Sequence, residues 1–136
     1  MEIIVIVGII IVVIVVLVLI SGGGGSKNST WKSTAKTSLY SAENKMKSNN
    51  YYEVKDSLVE LDKLLDFILK SKMIRGETLG ERLKNAKNIF SKSDYNLLWE
   101  AHKLRNQLVH EVGQNVNVNL IRKNAQNMAS ILRKSI

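Results

Sequence analysis

The chain of 136 residues contains no cysteine and no proline. Without thiols there are no disulfides and no thiolate-held metal, and the redox compartment leaves no mark on the sequence. Without proline nothing forces a helix to break, and with apolar residues recurring at helical spacing the body reads as all-α. No segment repeats at a fixed period. The signatures of several enzyme classes are missing as well. There is no HExxH pair or carboxylate cluster for a catalytic metal, and no GxSxG turn for a serine nucleophile. Gly76-Glu77-Thr78-Leu79-Gly80 lacks the lysine and the spacing of a phosphate loop and reads as a helix start. Neither a metal nor a cofactor is expected. Acidic residues are outnumbered, 12 against 20 basic ones, for a formal charge of +8. Glu2 stands apart from the body, which is therefore more basic still and suited to polyanions or anionic lipid headgroups.

What is present begins with Ile3 to Ile20, an apolar run of 18 residues interrupted only by Gly8. As a helix it spans about 27 Å, close to the hydrocarbon thickness of a bilayer. In lipid only a helix pairs every backbone N–H and C=O internally, so the helical reading follows from the solvent although the run is β-branched. A cleaved signal peptide has a basic leading segment, a shorter apolar core and a small-residue cleavage site. Met1-Glu2 carries no Lys or Arg, so an uncleaved anchor over residues 1–21 is expected. Lys27, Lys32 and Lys36 follow the run and no basic residue precedes it, which places the N-terminus outside the cell membrane and the body in the cytoplasm. Residues 22–36, rich in Gly, Ser, Thr and Lys, read as a flexible linker in which Trp31 sits at the lipid interface.

Residues 37–136 suffice for one domain, a bundle of four or five antiparallel helices. Val54, Leu58, Leu61, Leu65 and Ile68 form one stripe on a helix from about Tyr51 to Lys72. A weaker helix over Thr37–Ser48 precedes it. Thr78 and Glu81 have capping-box spacing ahead of Leu79, Leu83, Ala86 and Phe90. Ser93 and Asp94 offer a cap for a fourth helix reaching about Glu111. Asn117 or Asn119 opens a last helix with the stripe Ile121, Ala125, Met128 and Leu132.

The fourth helix is the place to look for function. Helical geometry puts Leu97, Ala101, Leu104 and Leu108 on the seam into the core, and Leu98, Trp99, His102, Asn106, Val109 and His110 on a second arc. A solvated face seldom combines Trp, Leu and Val with two histidines, so this arc should meet the fifth helix, a second copy of the chain, or both. His102 and Trp99 are its candidate binding residues. His102 and His110 lie about 12 Å apart along one helix, too far for one metal ion.

Arg105-Asn106-Gln107-Leu108-Val109-His110 sets an Arg and a His with four residues between them near the end of a bundle helix. Here the sequence resembles the HEPN family, small all-α domains marked by an Arg, usually a polar residue such as Asn next, and a His shortly after. The resemblance implies a symmetric dimer that gathers two Arg/His pairs in a shared cleft and, in active members, cuts RNA without metal. His110 would then be the acid/base at the ribose 2′-OH, Arg105 would hold the scissile phosphate, and Asn106 would position one or the other. The chemistry suits the groups, since imidazole titrates near neutral pH and guanidinium grips phosphate through a fixed fork. Arg105 and His110 lie about 140° apart on an ideal helix, so one monomer does not aim both at one atom. The competing expectation is a catalytically inert module that docks a protein partner or its own twin at the membrane.

Overall fold

Apolar side chains at three- and four-residue steps draw the chain into a helical bundle, with no strand among the described residues. The computed structural model describes residues 27–110 and 115–136, with side chains from Thr30 onward. Helix α1 spans Lys27–Met46, α2 Tyr51–Ser71, α3 Leu79–Asn85, α4 Lys92–His110 and α5 Val118–Ser135, with a short 3₁₀ turn at Lys87–Ile89.

Helix α2 is the central element and packs against α3, α4 and α5. Asn50 starts it from extended backbone, its Oδ1 accepting from the N–H groups of Tyr52 at 2.8 Å and Glu53 at 3.4 Å. The expected stripe is fully buried, and Leu64 and Leu69 join it. Burying each such aliphatic side chain contributes about 1.5–3 kcal/mol, which makes this helix the largest single source of stability. One buried member is charged: Asp62.

The end of α2 is a Schellman turn without its usual glycine. Met73 N–H donates to Lys70 O at 2.9 Å and Ile74 N–H to Leu69 O at 3.0 Å, while Met73 itself takes φ 60°. Gly76 then adopts φ +146°, and a Cβ there would lie 2.7 Å from the backbone nitrogen of Arg82. Here glycine is a steric requirement. The buried Arg82 closes the turn, donating from Nε to Asp66 Oδ1 at 2.6 Å, from NH2 to Glu77 O at 3.0 Å, and from NH1 to Gly76 O.

The anticipated capping pair opens α3. Thr78 Oγ1 accepts from Glu81 N–H at 3.2 Å, and Glu81 Oε2 accepts from Glu77 N–H at 2.8 Å, one residue earlier than in the usual box. The single helix expected through Phe90 stops at Asn85, because the chain tightens at Ala86 into the 3₁₀ turn and Phe90 is extended. Helix α4 is capped by Ser91, whose Oγ accepts from Asp94 N–H at 3.0 Å, so the expected cap at Ser93 or Asp94 is corrected by a few residues. Asn117 caps α5, and its predicted stripe is buried.

Two further expectations change. Helix α1 begins at Lys27, ten residues before the expected Thr37, so the flexible linker does not extend to residue 36. Ala35, Leu39, Ala42 and Met46 are buried, and Trp31 packs against the core at the start of this stripe. Frequent Ser, Thr and Lys between them hid the periodicity. In α4 the buried residues are Leu98, Ala101, Leu104 and Leu108, with Leu97 only half-buried. Packing on both α2 and α5 turns the buried sector of α4 away from where a one-sided helix would set it. Among the described residues no helix is long and apolar enough to cross a membrane, and the expected span at Ile3–Ile20 lies outside them.

Candidate functional site

The middle of the second arc of α4, at His102 and Asn106, faces α2 and the start of α3 in its own chain, while Val109 and His110 at its end are exposed. Its centre is a hydrogen-bonded ring. His102 Nδ1 lies 2.8 Å from Asp62 Oδ1. His102 Nε2 lies 3.3 Å from Asn106 Nδ2, and Asn106 Oδ1 accepts from Arg105 NH1 at 2.9 Å. Arg105 Nε, 3.3 Å from Asp62 Oδ2, completes the circuit as an ion pair. That Nε is buried and lacks hydrogen-bond alignment with the carboxylate, so charge rather than geometry holds this last link.

The ring fixes the histidine tautomer. Because Asn106 spends its carbonyl on Arg105, its amide NH2 faces His102, and Nε2 must accept. The proton then sits on Nδ1 and is donated to Asp62. A carboxylate that orients an imidazole while the other ring nitrogen faces a cleft is an arrangement that catalytic and purely structural histidines share. Asp62 costs desolvation energy at its depth and is held there by two partners, one of them a permanent cation.

These groups line an open cleft of about 500 Å³, together with Lys63, Asp66, Thr78, Leu79 and Gly80. A Cβ on Gly80 would find 3.7 Å to Trp99 Cη2 and 4.0 Å to His102 Nε2, so a small residue there keeps the imidazole open to the cleft. Trp99 meets His102 edge to face at 5.8 Å between centroids, and Tyr95 meets Trp99 likewise at 6.3 Å. One turn from Asp62 on α2, Asp66 also borders the cleft. Burial pushes its carboxyl up, but hydrogen bonds from Lys70 and Arg82 and the charges behind them prevail and hold it below the ordinary 3.8.

Of the residues singled out from sequence, Arg105, Asn106 and His102 come together, and Trp99 braces them. His110 does not join them. It is the last residue of α4, exposed, and outside the lining of the cleft. The sequence reading missed Asp62, the residue on which the site is built. A signal was present: a carboxylate beside Leu61, in line with Leu58 and Leu65, interrupts an otherwise apolar face and calls for a buried partner. Among the described residues no three His, Cys, Asp or Glu side chains cluster as metal ligands would. No protein-family model, no curated protein and no solved structure matches this chain.

Proposed function

We propose that the chain is a membrane-anchored HEPN-like RNA-binding module whose paired copies cleave RNA without metal, with His110 as the proton-transfer residue. The observation that carries this reading is the exposure of His110 at the end of the helix whose Arg105 and Asn106 are fixed on the cleft. An accessible imidazole beside a basic body can take the proton of a ribose 2′-OH as that oxygen attacks the neighbouring phosphorus. The 5′-oxygen leaves with a proton and a cyclic phosphate remains. Within one copy Arg105 points at Asp62 while His110 stands clear of the cleft, so the two act on one phosphate only across a pair of chains. The basic excess supplies sequence-independent affinity that falls steeply with salt.

A second reading has its own support. Arg105 and Asn106 already have partners in their own bundle, as they would in an inert docking module. The variant that separates the two is His110→Gln, because this side chain lies outside the ring and its loss leaves the fold intact. Full-length protein in mild detergent is incubated with labelled RNA and chelator. Cleavage by the natural chain, lost in His110→Gln with RNA binding retained, supports the nuclease. Binding without cleavage in both reduces the proposal to an RNA-binding module, and no binding favours the docking module. Orientation is tested by protease accessibility of the C-terminal body, expected on the cytoplasmic side.

A further inference from the structure

A second groove of about 700 Å³, larger than the polar cleft, is lined by Lys84, Tyr95, Asn96, Trp99, Glu100 and Lys103. Its chemistry is unlike that of the cleft. Two aromatic rings in edge-to-face contact form its apolar part, and exposed Lys84 and Lys103 are contributed by α3 and α4, against a single carboxylate from Glu100. In the cleft, by contrast, Arg105 and His102 are paired by Asp62, and Asp66 is taken up by Arg82 and Lys70.

We infer that this groove is a stacking site for an unpaired base of single-stranded RNA, with Lys84 and Lys103 taking the flanking phosphates and Asn96 offering both a donor and an acceptor to the base edge. The inference rests on the RNA reading above. Charge and ring chemistry favour this occupant: an aromatic face accepts any base, and lysines track a phosphate backbone. An apolar protein partner would leave two lysines and a glutamate to be desolvated without partners. The indole joins the two halves of the surface, because Trp99 lines the groove and also meets His102 of the cleft in an edge-to-face contact. A base stacked here therefore threads its strand past the Gly80 gap toward Arg105 and Asn106.

The chain has two tryptophans, so the test uses full-length protein carrying Trp31→Phe, which keeps an aromatic ring beside Lys32 and Lys72 and leaves Trp99 as the sole indole. Titration with oligouridylate should quench Trp99 emission, whereas heparin, a polyanion without bases, should compete for binding without quenching. Trp99→Leu should weaken oligouridylate binding roughly tenfold or more. Lys84→Gln with Lys103→Gln, at exposed positions that do not endanger folding, should weaken it severalfold and lower the salt slope by about 1.4. RNA binding that neither quenches Trp99 nor responds to the lysine pair overturns the stacking site and leaves the RNA reading standing. Absence of RNA binding by gel shift overturns both. Trp99 emission that shifts with protein concentration and no RNA, showing a second copy seated in the groove, also overturns it.

Discussion

Asp62 and Asp66 lie one turn apart on α2, border the same cleft, and serve different ends. Asp66 belongs to the turn side, where Arg82 reaches it at 2.6 Å and Lys70 at 2.6 Å, with two backbone carbonyls sharing the same guanidinium. Asp62 belongs to the α4 side, where it orients a histidine at 2.8 Å and holds a more distant arginine at 3.3 Å. The first arrangement has redundant donors and fixes a turn. The second has one link without hydrogen-bond alignment and leaves an imidazole on the lining of an open cleft. The same carboxylate chemistry thus secures backbone on one side and poises side chains on the other.

The comparison breaks hardest at Asp62. Asp62→Ala should cost about 3–5 kcal/mol in chemical unfolding, because it leaves Arg105 and His102 half-buried without their anion. A loss no larger than that of Asp66→Ala would mean the two sites are equivalent. Next comes the turn itself: Gly76→Ala should cost about 2–3 kcal/mol, since a Cβ cannot fit against the Arg82 nitrogen at that φ. Unchanged unfolding would show that the Arg82 clamp yields easily. Acid sharpens the contrast further. Asp66 has its folded value below the ordinary 3.8, so its contribution is complete above that pH and is lost as pH falls through and beneath it. Asp66→Asn should accordingly flatten the decline of the unfolding midpoint between about pH 4 and pH 2. An unaltered acid profile would exclude Asp66 as the source. The smallest effect has the opposite sign: Met73→Gly should stabilise the end of α2 by about 0.5–1 kcal/mol by relieving a positive φ on a side chain.

Much of the fold was legible because α2 and α5 pair long apolar stripes with asparagine caps, and those signals survive any packing arrangement. Helix α1 was harder to see at its start, where Trp31 and Ala35 are separated by Lys, Ser and Thr that suit a tether as well as a helix surface. Leu97 and Leu98 were exchanged for a different reason. Periodicity gives the direction of one buried face, and α4 is covered by two neighbours. The site was half visible. Arg105, Asn106 and His102 announced themselves by type and spacing, whereas Asp62 lies 40 residues before His102 and met it only through tertiary structure. His110 was found by motif alone, and nothing local distinguishes its exposed ring from any surface histidine.

The polar ring has a consequence for how the bundle settles on a single alignment. Aliphatic side chains tolerate a helix sliding by one turn, since one leucine replaces another at little cost. Moving α4 along α2 by four residues would bring Leu98 or Asn106 opposite Asp62 in place of His102, and Ala101 or Val109 in place of Arg105, leaving the buried carboxylate without its cation. The Asp62 circuit thus acts as a key that admits one helical register and rejects its neighbours.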